Sequence, residues 1–306
     1  MNDVVEACAA DEPRSGSLSW SRTVDRELVH RASVAEVLLT DVCRRGPGHF
    51  LAAASWARSH PTFPRGRDDR HSPWMVAETM RQLGIYIPLR YYAVPPTARF
   101  LITDLAFTLD PVAEPRVRYG ASEITCQAWV QDVRTSRESG LVSGLRMRVR
   151  YLAGEAVFAS GAGGARFLGA EPYAALRAGT RTVVRPPGRL ARPEPALLGL
   201  ESAADVVLAL GGAGPVVDPA DHRHPFLFDH GTDHVSGMAL LEAARQAVAL
   251  ESGGRHTRPT YCHMKALRFT EHSPPARVEC LLHGRTGVFR FRQGDTHTAV
   301  GVLRYS

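Results

Sequence analysis

The chain has 306 residues, 44% of them apolar and 22% charged, proportions of a globular protein that exclude a fibrous or wholly disordered one. Its 37 basic residues exceed its 31 acidic ones, and the formal net charge of +6 favours acidic partners: nucleic acid, phosphorylated metabolites or an acidic carrier protein. The five cysteines are scattered, which reads as free thiols in a reducing cytoplasm, and no apolar run is long enough to cross a bilayer.

In chain order, residues 1–16 lack periodicity and read as a loose tail, followed by a first domain over 17–160. Within it, Glu36-Val-Leu-Leu-Thr40 reads as a strand, and Ser72-Pro-Trp-Met-Val-Ala-Glu-Thr-Met-Arg-Gln-Leu as a helix with Ser72 at the N-cap and Pro73 at the first helical position. Strand formers dominate Phe100 to Thr108 and Leu145 to Tyr151. Residues 161–199, with Gly161-Ala-Gly-Gly164 and Arg185-Pro-Pro-Gly188, read as a Gly/Pro/Arg-rich linker. A second domain over 200–306 holds an apolar helix from Ser236 to Leu250, stopped at Gly253-Gly254, and strands at Val278–Leu282, Val288–Phe291 and Thr298–Leu303.

The halves repeat. At an offset of 164 residues, His60, Ser72, Glu78, Arg81 and Gln82 fall on His224, Ser236, Glu242, Arg245 and Gln246 without a gap. With a slip of two residues, Leu105, Phe107 and Thr108 fall on Leu267, Phe269 and Thr270. One buried helix with several antiparallel strands, twice over, predicts an α+β protein in which each half wraps a sheet around its helix. A fused twofold dimer keeps its isologous interface, so the two sheets are expected to join edge to edge.

The run His224-Pro-Phe-Leu-Phe-Asp-His-Gly-Thr-Asp-His-Val-Ser-Gly-Met-Ala-Leu-Leu-Glu-Ala-Ala-Arg-Gln246 resembles the signature of the A-factor biosynthesis (AfsA-type) proteins, the γ-butyrolactone synthases of actinomycetes. Val29-His-Arg-Ala32, Ala35 to Asp41, Arg58-Ser-His60 and Val76 to Gln82 resemble the same family, from about Leu28 to the C-terminus. Gly231 and Ser236 stand where prolines are usual in that pattern. The resemblance implies a double hot-dog fold. It also implies transfer of a β-ketoacyl group from acyl carrier protein to the hydroxyl of dihydroxyacetone phosphate, giving an ester that cyclises to a butenolide phosphate. The acyl group would arrive on the carrier's phosphopantetheine arm, with no further cofactor and no nucleic-acid or membrane partner. Another thioester enzyme of the same fold, a dehydratase or thioesterase, and a non-catalytic ligand- or DNA-binding regulator are the alternatives.

Glu78, Arg81 and Gln82, like Glu242, Arg245 and Gln246, are spaced i, i+3, i+4 and share one helix face. A polar stripe on an apolar helix must be satisfied, either as a Glu–Arg structural pin or as a pocket with a carboxylate base and a guanidinium anion clamp. With the resemblance, Glu242 and Arg245 become the expected catalytic pair, supported by Glu78 and Arg81. Gly237, Gln246, Gln82, His230 and His234 are the expected substrate-binding residues, the amides near Gly237 serving a developing oxyanion. His230 and His234 offer no tetrahedral ligand set, so no metal site is expected. They do not keep a dehydratase's spacing to the helix glutamate, which favours acyl transfer over dehydration.

Overall fold

The structure, a computed structural model, describes residues 17–58, 60, 69–179 and 190–306. The tail expected over 1–16 and the Arg185–Gly188 segment lie outside the described residues. The first half contains β1 (Leu39–Gly46), β2 (His49–Trp56), α1 (Trp74–Tyr91), β3 (Arg99–Leu109), β4 (Ser122–Thr135), β5 (Val142–Ala153) and β6 (Ala156–Leu168). A short helix α2 (Ala170–Arg177) follows, then β7 (Leu208–Gly211), β8 (Gly214–Val217), α3 (Gly237–Glu251), β9 (Tyr261–Ala266), β10 (Arg277–His283), β11 (Thr286–Gln293) and β12 (Thr296–Arg304).

The strands form one twelve-stranded antiparallel sheet in the order β1-β2-β4-β5-β6-β3-β9-β12-β11-β10-β8-β7. This order reads the same from both ends once each second-half strand is matched to its first-half counterpart. The two expected sheets are therefore a single sheet, joined edge to edge where Asp104–Thr108 of β3 pair with Lys265–Tyr261 of β9. Each half lays its apolar helix against its own part of the sheet, and one apolar core runs through both halves, including Trp56, Phe107, Phe289 and Phe291. Within α3, every side chain from Met238 to Ala249 is buried. That explains why this helix is apolar around nearly its whole circumference.

Four expectations need correction. The glycines at 161, 163 and 164 belong to β6, not to a linker, so the first half runs on through Leu168. A Cβ at Gly161 would meet Met80 Sδ at 2.7 Å, and one at Gly163 would meet the Asp104 carbonyl at 2.7 Å. Glycine is there for close approach of α1 and β3. The strand expected at Glu36 begins at Leu39, because Val34–Glu36 form a 3-10 turn. Helix α1 starts at Trp74, with Pro73 at the N-cap, one residue later than expected; Ser72 Oγ accepts from Trp74 N at 3.3 Å. Leu105, Phe107 and Thr108 lie within β3, whereas Leu267, Phe269 and Thr270 follow the end of β9, so that part of the repeat does not mark equivalent positions.

Candidate active site

The duplicated polar residues form two pins that fasten each helix to the start of its sheet. Gln82 accepts from the amides of Leu38 and Leu39 and donates to the Glu36 carbonyl and to Glu78. Gln246 accepts from Val207 N and donates to the Asp205 carbonyl and to Glu242. His60 pairs with Glu36 at 3.1 Å and His224 with Asp205 at 3.0 Å, completing the same arrangement in both halves.

The glutamates are held differently. Glu78 is fully buried and bound by Arg31, Arg81 and Gln82, with the Arg31 and Arg81 ion pairs at 2.9 and 2.8 Å. Burial pushes its carboxyl up, but the charges of Arg31 and Arg81 outweigh this and bring it down to about 2. Glu242 receives Arg245 Nε and NH2 at 2.9 and 2.6 Å, Gln246 Nε2 at 2.7 Å and the indole of Trp74 at 2.6 Å. Burial opposes its ionised form, yet the Arg245 charge and these bonds hold it below the usual carboxylate range. Four donors fill the acceptor sites of its two oxygens, so Glu242 has no lone pair left for a substrate proton in this arrangement. Arg245 spends its remaining NH1 on the carbonyls of Leu198 and Thr257. Arg81 differs: its Nε and NH2 bind Glu78 and the Val29 carbonyl, and its NH1 has no partner among the described residues.

Each pin faces the opposite half. Around Glu78, Arg31 NH1 donates to the Phe226 carbonyl and its guanidinium lies 4.6 Å from the Phe226 ring centroid. The buried Asp229 carboxylate accepts from the amides of Ala32 and Ser33 at 2.7 and 3.3 Å. These contacts seat the approach to α3 on the first half. At the start of α3, Ser236 Oγ caps Ala239 N, and the amides of Gly237 and Met238 have no partner among the described residues. The Cβ position of Gly237 lies 3.4 Å from Ile102 of β3. Two residues away on the same face of β3, Phe100 packs edge-on against His30 at 4.9 Å. Through Phe100 and Ile102, the His30 imidazole and the start of α3 thus stand against the same face of β3.

The other seam is filled. Trp74, at the start of α1, reaches Glu242, and Arg258 binds the His71 carbonyl and Glu114. The 3-10 turn Pro195–Leu198 ends at Gly199, against which Thr257 packs so closely that a Cβ would lie 2.7 Å from it.

A sequence profile described as the A-factor biosynthesis hotdog domain matches residues 15–169 and 194–282. The chain belongs to that family. A protein named 2-oxo-3-(phosphooxy)propyl 3-oxoalkanoate synthase from Streptomyces virginiae is 35% identical over 84% of this chain and 86% of its own length. Proteins of the same name from Streptomyces griseus and Streptomyces coelicolor are each 31% identical, covering 82% and 84% of this chain and 83% and 81% of theirs. The hot-dog fold expected from the family signature is the one observed, and no helix among the described residues is long and apolar enough to cross a membrane.

Within this A-factor hotdog scaffold, the Glu78 trio closes, through Arg31, on the approach to α3, and the Glu242 trio on Trp74 at the start of α1. His230 is half exposed, with Nδ1 3.6 Å from Asp229. His234 belongs to a separate latch. Its Nδ1 lies 2.7 Å from Asp233, which also accepts from Tyr173 and Arg177 of α2, and Arg177 continues to Glu271. Spacing did not reveal His30, Arg31, Asp229 or Trp74. The first two sit in the Val29–Ala32 segment of the family signature, where they carry no periodic pattern of their own.

Proposed function

We propose that this chain joins a 3-oxoacyl group, delivered as a thioester on the phosphopantetheine arm of an acyl carrier protein, to a hydroxyl of dihydroxyacetone phosphate. The product is a 2-oxo-3-(phosphooxy)propyl 3-oxoalkanoate, which closes to a butenolide phosphate by attack of its activated methylene on the ketone and loss of water. The observation that carries this reading is the reaction named by relatives that match over four-fifths of the chain.

The seam at the start of α3 suits that chemistry. The free amides of Gly237 and Met238 at the positive end of α3 would receive the charge that develops on the thioester oxygen. Gly237 presents no side chain toward the acyl group. Holding donor and acceptor together at one seam removes much of the entropic cost of a two-substrate reaction. The net charge of +6 fits an acidic carrier protein and a phosphorylated acceptor. In this reading Glu78, Arg81, Gln82, Glu242, Arg245 and Gln246 fix the two helices that define the seam.

The test is incubation with 3-oxoacyl carrier protein and dihydroxyacetone phosphate, followed by mass spectrometry. A phosphorylated ester or butenolide supports acyl transfer. Release of free 3-oxo acid irrespective of acceptor assigns a thioesterase, and dehydration of a 3-hydroxyacyl carrier assigns a dehydratase.

A further inference from the structure

His30 occupies an unusual backbone position. It closes the 3-10 turn Arg26–Val29 with φ 49 and ψ 56, a left-handed conformation that costs an L residue about 1–2 kcal/mol. The same place in the second half, after Pro195–Leu198, is Gly199 with φ 68. The two positions correspond because Arg81 binds the Val29 carbonyl just as Arg245 binds that of Leu198. A histidine thus stands where the other copy has the residue that relieves the strain.

Three elements meet around this residue, and one of them, β3, touches its ring through Phe100. Arg81 of α1 reaches the carbonyl of the preceding residue and keeps NH1 uncommitted. Phe100 of β3 packs on the imidazole, and its neighbour Arg99 lies over the Tyr173 ring at 5.6 Å. The α3 approach brings His230 alongside, because Asp229 binds the amides of Ala32 and Ser33. Asp229 accepts from those amides and lies 3.9 Å from Arg31 and 3.6 Å from His230 Nδ1, so its charge is shared between Arg31 and the edge of the notch. Among the described residues, the second seam has no such arrangement.

We propose that this notch binds a phosphomonoester: the phosphoryl group lies against Arg81 NH1, Arg99 and His230, and the acceptor's hydroxyl rests on His30, which takes its proton. The inference rests on the acyl transfer proposed above and names the acceptor's place within it. As the hydroxyl oxygen bonds to the acyl carbon, its proton passes to the imidazole and the carbonyl electrons move onto an oxygen facing the α3 amides. When the carbonyl reforms, the carbon–sulfur bond breaks, and the departing sulfur takes the proton back from His30. Ester and free thiol result, with no change of oxidation state.

Burial first, and then the charges of Arg81, His230 and Arg99, hold the imidazole down to about 4, so it is neutral and able to accept a proton at physiological pH. A bound phosphate dianion offsets those same charges and raises the ring's basicity when the acceptor is in place.

Calorimetric titration of the full chain with inorganic phosphate and with dihydroxyacetone phosphate tests the site, alongside turnover. Arg99→Ala should weaken both ligands about tenfold, while Arg292→Ala on β11 leaves them unchanged. His30→Gly should fold at least as stably as the parent, since glycine accepts this backbone. It should bind the acceptor within a few-fold of the parent and lose about 10²–10⁴-fold in turnover, part of which added imidazole restores. Unchanged phosphate binding in Arg99→Ala overturns the site, and a His30→Gly enzyme that keeps its turnover, or loses it without response to imidazole, overturns the proton role. If the parent binds phosphate through Arg99 yet forms no ester, the acyl-transfer reading fails and the anion site stands. If ester forms with an unaltered KM for dihydroxyacetone phosphate in Arg99→Ala, the reaction stands and the site fails.

Discussion

Glu78 and Glu242 hold the same place in their helices, yet their surroundings differ in who supplies the last donor. At Glu78 it is Arg31, whose guanidinium also reaches across to Phe226. At Glu242 it is the indole of Trp74, coming from the opposite helix start. The first choice leaves Arg81 NH1 uncommitted beside His30; the second fills its seam with an aromatic ring. The duplicated motif therefore marks a framework common to both halves, and the residues that differ between the copies set the two seams apart.

Removing each carboxylate in turn separates the two surroundings most. Glu78→Gln leaves the buried Arg31 and the largely covered Arg81 without their carboxylate, each with one carbonyl acceptor, and should cost about 3–5 kcal/mol in denaturant unfolding. Glu242→Gln strands one, which keeps two carbonyl acceptors, and should cost less. Turnover of folded Glu242→Gln should stay within about tenfold of the parent; a loss of 10²-fold or more at intact fold would instead make Glu242 the base that its motif suggests.

Acid sharpens the same contrast. Glu78 is depressed from an ordinary value of 4.5 to about 2, so its contribution is fully present above about pH 4.5 and is lost as pH falls toward 2. About 3 kcal/mol of stability should disappear across that window, and a Glu78→Gln variant followed by circular dichroism should lack this part of the acid response. At the filled seam, Trp74→Phe removes the indole donor to Glu242 and should cost about 1–3 kcal/mol without altering turnover. A change in the KM for dihydroxyacetone phosphate in that variant would mean that the filled seam takes part in catalysis. The smallest difference is at the helix starts. Ser236 caps Ala239 N and donates to the Leu227 carbonyl, so Ser236→Ala should lower the urea midpoint by an amount equivalent to about 1 kcal/mol. Ser72→Ala, which loses one bond of 3.3 Å, should cost less.

Much of the framework was legible because scarce polar residues recur in one register. Glu, Arg and Gln at i, i+3 and i+4 on an apolar helix announce a buried, satisfied stripe; Glu78, Gln82, Glu242, Arg245 and Gln246 are all buried and bonded, while Arg81 is only partly covered and keeps NH1 uncommitted. Composition misled at Gly161–Gly164, since glycine serves both flexible joins and tight approaches, and only Met80 and β3 packed against β6 distinguish the two. The apparent match of Leu105 to Leu267 failed because strand formers recur freely and fix no register. The site was harder to see. Spacing along a helix shows which side chains share a face, but not that Arg31, 47 residues before Glu78, supplies its second cation. Nor does it show that α3 starts beside the other half's strand rather than beside Glu242. His30 gave no periodic signal at all, because its distinction is a backbone conformation that its copy meets with glycine.

The pairing of β3 with β9 carries a consequence for how such a protein diverges. When two identical chains associate, each base change in the gene is written into both symmetry-related sites, and neither can improve without the other bearing the same residue. Here the two sites are encoded by separate codons while the hydrogen-bonded strands keep them in register. A histidine at 30 can be retained with a glycine at 199, and an indole at 74 with a methionine at 238. Gene fusion lets the members of a once-symmetric pair of sites diverge, and the divergence is inherited as one unit.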